Sequence, residues 1–366
     1  MSPEQRTVRE TEEIICGVWS RLLDTDVLPT DDFFEIGGDS LLVVEVLLDL
    51  RGHGLDLKAA AVFRHPTPAA LARYLADANP PEPAAATQAP PDLFLSADDL
   101  WSTHRSTWAP DAPRCLFPLV REGDGEPLFI VHWGNDAGFV WSSTSAWGAG
   151  RPVYGFEAPG FRGDIRPVTT VADMVDRYLV ELLEQQPEGP YHLAGHCHGA
   201  VVAYELARRL RARGQEVAVL AMVKPSALER FVSYGWGLDE ITRYRLESLA
   251  AQFSLVGDES LDEVFSRMRK EGWYDDRLGP QDLPRLQVQW SALALALHQY
   301  EPRPYDGPVL IVQDVKDRED TERNWLSVLP QAETLWVDHG VDLPRPTLRD
   351  PEVVALIREK LTRRAG

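Results

Sequence analysis

The chain has 366 residues, a formal charge of −20, and 44% hydrophobic residues including 11 Trp, which is enough apolar material for two or three packed domains and too much for a disordered chain. Its acidity disfavours nucleic acid and anionic membrane surfaces as partners, and no apolar run approaches the roughly 18 residues of a membrane span. Cys16, Cys115 and Cys197 are widely separated, odd in number and preceded by no secretory signal, which argues against a disulfide framework and for a reduced, cytoplasmic setting.

Ile14, Ile15, Val18, Trp19, Leu22 and Leu23 recur at helical spacing, as do Leu41, Leu42, Val44, Leu47 and Leu48. A third helix is predicted to begin after an N-cap at Thr67, with Pro68 at the first helical position and Leu71, Tyr74 and Leu75 along one face. Residues 1–79 therefore read as a small α-helical bundle. Its 7 basic and 14 acidic residues over 1–78 suit either a solvated surface or the basic faces of partner domains. Between the first two helices lies Asp31-Asp32-Phe33-Phe34-Glu35-Ile36-Gly37-Gly38-Asp39-Ser40-Leu41. The paired glycines permit a tight turn that leaves Ser40 exposed at the start of a helix, which Asp39 or Ser40 could also cap.

Residues 80–113 open with Pro80-Pro81-Glu82-Pro83-Ala84-Ala85-Ala86-Thr87-Gln88-Ala89-Pro90-Pro91, which forms neither a helix nor a central strand and reads as a semi-extended linker. Leu93, Phe94, Leu95, Leu100 and Trp101 are expected to dock its far end onto the domain that follows.

Residues 114–366 alternate strand and helix signals. The runs Leu128–Val131, Val217–Val223 and Val309–Val312 are short and β-rich, as buried parallel strands are. Residues 226 to about 300 interrupt the alternation with a helical insertion placed where a lid would be. Gly195-His196-Cys197-His198-Gly199 has the spacing of a nucleophile elbow with cysteine in place of serine, between a predicted strand at Tyr191–Ala194 and a helix at Ala200–Leu210. The expected fold is thus an α-helical bundle followed by an α/β-hydrolase domain with a helical lid.

An acyl-transfer reading assigns roles around that elbow. Cys197 is the candidate nucleophile. His339, on a loop after the strand-like Thr334–Val337, is the candidate base. The backbone N–H of His198 and that of Gly134, in the loop His132–Gly138, are the candidate oxyanion donors. Asn135 is a candidate substrate contact or a turn former. His196 and His198 flank the cysteine, but adjacent side chains diverge at an elbow and no further ligand cluster is evident, so no metal is expected.

The phrase ending Gly37-Gly38-Asp39-Ser40 resembles the attachment site of peptidyl carrier proteins, and the chain from about Pro127 onward resembles the type I thioesterase domains of nonribosomal peptide synthetases. The resemblance implies 4'-phosphopantetheine on Ser40, a peptidyl thioester substrate, upstream synthetase domains and a phosphopantetheinyl transferase as partners. It also implies a triad acid after the strand that follows the nucleophile helix, where this chain has Lys224. A lysine cannot orient the histidine, so Asp317 is the preferred acid, with Asp314, Asp338 and Asp342 as alternatives. Lys224, Arg162 and Arg166 become candidate contacts for an anionic substrate group. Few members of this family use cysteine. The chain is most similar to the β-lactam-forming terminal didomains of monobactam (sulfazecin-type) synthetases, which implies release by intramolecular ring closure. β-Lactone formation, hydrolysis, macrocyclisation and a catalytically decayed docking module are the other readings.

Overall fold

The computed structural model describes residues 7–23, 25–33, 36, 43, 46–47, 49–50, 53–55, 57, 61–62, 65–77, 97, 114–131, 147, 150–162, 165–226, 237–252, 260–270, 278–337, 348 and 351–363. The chain divides into two units. One comprises Met1–His104 with Tyr234–Val288, the other Arg105–Ser233 with Gln289–Gly366.

In the first unit, helix α1 (Val8–Leu23) starts at a reciprocal cap. The Thr7 hydroxyl accepts from the Glu10 N–H at 3.2 Å while the Glu10 carboxylate accepts from the Thr7 N–H at 2.8 Å, so two backbone donors that the helix leaves free are satisfied together. Helix α2 (Pro68–Asp77) begins as its sequence requires. The Thr67 hydroxyl accepts from the Ala70 N–H at 3.2 Å, and Pro68 occupies the first turn, where its missing N–H costs nothing. Ile15, Val18 and Trp19 of α1 meet Leu71 and Ala72 of α2 and the helical residues Val43, Val46, Leu47 and Leu50 in one core. Phe33 locks the connection: its ring lies 4.8 Å from that of Trp19, and its N–H donates to the Pro66 carbonyl at 2.7 Å.

The second unit is built on a seven-stranded sheet in the order β1-β3-β2-β4-β5-β6-β7. The strands are β1 (Leu116–Val120), β2 (Leu128–Val131), β3 (Val153–Phe156), β4 (Tyr191–His196), β5 (Val217–Val223), β6 (Val309–Asp314) and β7 (Glu333–Val337). All neighbours pair in parallel except β1 with β3. The apolar runs are explained by burial on both faces. Phe129, Val131, Leu193, Leu220, Met222 and Ile311 point into one core, and Leu128, Ile130, Ala194, Ala221, Val223, Leu310 and Val312 into the other, so the period-2 alternation divides apolar residues between two packed layers.

Helices α3 (Val171–Gln185) and α4 (His198–Ala212) supply the first layer. A helical segment follows β5, with α5 (Leu238–Gln252), α6 (Leu261–Lys270) and α7 (Leu283–His298) lying between it and β6 in the chain. After β6 come a single 3-10 turn (Val315–Asp317) and the short helices α8 (Arg318–Arg323) and α9 (Trp325–Val328). Helix α10 (Pro351–Arg363) covers the second face through Val353, Val354, Ile357 and Leu361.

The apolar runs marked no strand before Leu128–Val131. β1 precedes it, at the sheet edge, where Pro118 removes no ladder bond that a central strand would need. Leu93, Phe94, Leu95, Leu100 and Trp101 lie outside the described residues. Ala97, in the same stretch, is buried and donates its N–H to the Asp239 carboxylate at 2.8 Å. Among the described residues, no helix is long and apolar enough to cross a membrane.

Candidate active site

β2 lies between β3 and β4, so consecutive parallel strands depart from it in opposite directions, and the crevice at the carboxyl ends of β2 and β4 is the place where such sheets bind ligands. Val131, the last residue of β2, pairs with Gly195, two residues before Cys197. Cys197 has φ 52° and ψ −120°, between the buried strand β4 and the first turn of α4. A side chain rarely tolerates such a backbone, and strain of this kind persists only where the surroundings impose it. They do so here through hydrogen bonds. The Cys197 N–H donates to the Val223 carbonyl at 3.0 Å, and its carbonyl accepts from the N–H groups of Ala200 at 3.1 Å and Ser226 at 3.3 Å.

The flanking glycines have a physical reason. A Cβ on Gly195 would overlap the backbone of Gly199 and Ala200, so the motif's first glycine is what lets strand and helix approach closely enough to make the elbow. His196 ends β4 and is buried, and His198 is buried at the first position of α4. The His198 ring meets that of Trp290 edge-on at 6.1 Å. The His198 N–H belongs to the first helical turn, whose donors lack intrahelical acceptors and form the positive end of the helix dipole.

Lys224 directly follows β5, with φ 44° and its N–H donating to the Val312 carbonyl at 2.8 Å. Asp314 is the last residue of β6, buried, and in register with Val337. Asp317 closes the 3-10 turn beyond it. Its Oδ2 is buried without a hydrogen-bond partner among the described residues. The carboxyl edge thus carries, in spatial order, Cys197 after β4, Lys224 after β5 and Asp317 after β6. Ser40, Gly134, Asn135, Asp338, His339 and Asp342 lie outside the described residues; Val337, two positions before His339, ends β7 beside β6.

The two candidate arginines differ in setting. Arg162 clasps the buried Glu157 with both ends of its guanidinium, at 2.6 and 2.9 Å, and stacks 3.8 Å over the Phe117 ring. Bidentate, stacked arginines are held by geometry as much as by charge. Arg166 is exposed.

One neighbour of Cys197 carries no motif. The Ser226 hydroxyl lies 3.3 Å from the Cys197 sulfur. Its only sequence signal is its place two residues beyond the unexpected Lys224. Trp325, equally silent in the sequence, donates its indole N–H to the Ser226 carbonyl at 2.8 Å.

These features define an α/β-hydrolase fold with a strained elbow at Cys197, preceded by a small helical bundle. The chain belongs to the thioesterase domain family, which matches residues 126–340, and the phosphopantetheine attachment site family matches residues 13–75. It is a carrier and thioesterase didomain of the nonribosomal peptide synthetase type.

Malpibaldin synthetase of Mortierella alpina is 29% identical over 355 residues, 95% of this chain and 6% of that protein. A vanchrobactin synthetase of Vibrio anguillarum is 27% identical over 340 residues, 90% of this chain and 10% of that protein. The chain therefore spans a small fraction of these relatives' length. A solved holo four-domain nonribosomal peptide synthetase bound to AMP and glycine shares the fold with a TM-score of 0.53 and 23% identity, covering 98% of this chain and 26% of that one. The NocB thioesterase domain, in covalent complex with a fluorophosphonate nocardicin G analog, does so with a TM-score of 0.50 and 22% identity, covering 69% of this chain and all of that one.

The attachment-site match implies covalently bound 4'-phosphopantetheine. The described residues around the Gly-Gly-Asp-Ser phrase fit such a site in type and order: a turn closed by the Ile36 N–H on the Asp32 carbonyl at 3.0 Å precedes it, and helical residues from Val43 follow.

Proposed function

We propose that the protein releases a carrier-bound peptidyl chain by passing it to Cys197 and closing a small ring, of the β-lactam (monobactam) type. The observation that carries this reading is the strained Cys197 between β4 and α4 at the sheet's switch point, the backbone geometry that exposes a nucleophile beside helix N–H donors. Ser40 would hold phosphopantetheine which, once installed by a phosphopantetheinyl transferase and loaded by upstream synthetase domains, would present the peptide as a thioester.

Cys197 attacks that thioester carbonyl with His339 as base, and the N–H groups of His198 and Gly134 receive the developing oxyanion. Exchange of one thioester for another is nearly neutral in energy, so the peptide keeps its activation for attack by a weak internal nitrogen, where an oxoester would lose it. Asp317 orients His339. Its unpartnered buried oxygen, one turn past β6 and beside the strand that leads to His339, supports this role. Asp314 remains the rival on the same strand. Asn135 and Lys224 contact the substrate, with Lys224 facing an anionic group. Arg166 is a further cation for that group, whereas Arg162 serves Glu157 first. The insertion from 226 to about 300 is read as a lid from its place in the chain between Lys224 and Asp317.

The test is intact-protein mass spectrometry of the didomain loaded with a peptidyl thioester, with product analysis. The expected results are an acyl adduct on Cys197, a released product lighter than the free acid by one water, and cargo stranded on the carrier in Cys197→Ala. Release of the free acid alone would replace ring closure by hydrolysis, and full turnover by Cys197→Ala would overturn covalent catalysis.

A further inference from the structure

Residues 223–226 are tied to the elbow from both sides. Cys197 donates its N–H to Val223 and accepts from the Ser226 N–H, and the Trp325 indole holds the Ser226 carbonyl. Trp325 is itself fixed in the core, 1% exposed, with its ring set against Tyr204 at 5.4 Å. The backbone of Ser226 is thus engaged on both its polar groups, and its hydroxyl is brought to 3.3 Å from the Cys197 sulfur without contributing to that placement. Ser226 is 9% exposed, so little water competes for the contact.

The chemistry gives this contact a direction. A thiol can accept or donate, but a thiolate has no proton, so beside a charged sulfur the serine hydroxyl must be the donor. Hydrogen bonds to charged groups are stronger than neutral ones, so the contact is at its strongest when the sulfur carries charge.

Resting on the reading of Cys197 as nucleophile, we propose that Ser226 is a further catalytic residue, whose hydroxyl donates a hydrogen bond to the Cys197 thiolate. The bond acts twice. In acylation it stabilises the sulfur that forms the new C–S bond as the carrier thiolate departs. In release the attacking atom bonds to the acyl carbon, the C–Sγ bond breaks, and its electron pair returns to Cys197 under the same donor. Ser226 keeps its proton throughout, so the proton balance between the attacking group and the base is unchanged. The segment in which the family's acid is replaced by Lys224 thereby still serves the nucleophile, two residues further on.

The experiment is alkylation of the complete didomain with iodoacetamide from about pH 5 to about pH 10, followed at Cys197 by peptide mass spectrometry, which separates it from Cys16 and Cys115. Ser226→Ala is expected to alkylate about tenfold more slowly at neutral pH, as the loss of one such hydrogen bond implies, while reaching the same plateau at high pH. Ser226→Thr, which keeps the hydroxyl, restores the profile. Trp325→Phe, which frees the Ser226 carbonyl, shifts it in the same direction by less. An unchanged profile in Ser226→Ala, or an equal slowing at every pH, overturns the proposal. That failure is distinct from failure of the nucleophile reading, which shows as peptide release by Cys197→Ala.

Discussion

Replacing Cys197 by glycine is expected to make the hydrolase domain more stable than replacing it by alanine, although both changes remove the thiol. At φ 52° and ψ −120°, any residue with a Cβ is strained by about 1–3 kcal/mol. Glycine removes that strain but loses about 0.5–1 kcal/mol to the greater freedom of its unfolded chain. Alanine and glycine both lack the sulfur and its contact with Ser226, so the comparison isolates the backbone. The net gain for glycine is about 1 kcal/mol, or about 2–4 °C in the hydrolase transition of a domain this size. Scanning calorimetry of Cys197→Gly and Cys197→Ala measures it. A glycine variant melting at or below the alanine variant would refute the claim that the elbow stores strain at this position.

Other expectations follow from the same geometry. Ser40→Ala is expected to lose all phosphopantetheine attachment, read as the absence of the mass increment after treatment with a phosphopantetheinyl transferase. Asp317→Asn is expected to slow peptide release by about tenfold or less, since a cysteine depends less than a serine on its acid; an unchanged release rate would favour Asp314 as the orienting group. Lys224→Met is expected to weaken processing of an anionic peptidyl substrate by about tenfold or more while sparing a neutral analogue, a charged hydrogen bond being worth roughly 1.5–3 kcal/mol; equal losses would reject the anion contact. His192, buried in β4, has its pKa pushed from 6.5 down to about 4, by burial first and by the Arg151 charge second, against the Pro127 carbonyl. The unfolded chain therefore takes up a proton between these values that the folded chain refuses. Stability worth roughly 3 kcal/mol is present above the upper value and is lost as pH falls towards the lower one. His192→Phe is expected to flatten urea-denaturation stability across that window, and an unaltered pH slope would show that another group governs it.

What the sequence determined by itself was local. Thr67-Pro68 specified a helix start because a cap needs only the residues within one turn, and Thr67 accepts from Ala70 in the fold. The runs at 128–131, 217–223 and 309–312 marked parallel strands because burial on both faces demands apolar residues on both sides of the pleat. The pentapeptide at 195–199 marked the elbow because a close approach of strand and helix excludes a Cβ at Gly195.

Tertiary structure decided the rest, wherever a contact joins segments whose spacing in the chain has no period. The edge strand β1, broken in pattern by Pro118, became a strand only through pairing with β3. Arg162, a candidate anion contact by sequence, is engaged by Glu157, the residue that follows β3, across a five-residue spacing that belongs to neither a helix nor a strand period. Ser226 meets Cys197 because parallel pairing of β4 with β5 brings their carboxyl ends together, and Trp325 arrives from beyond β6 to hold it. Such partners are selected by strand order and register, which local propensity does not encode, so the residues that surround a nucleophile become visible only when the sheet is assembled.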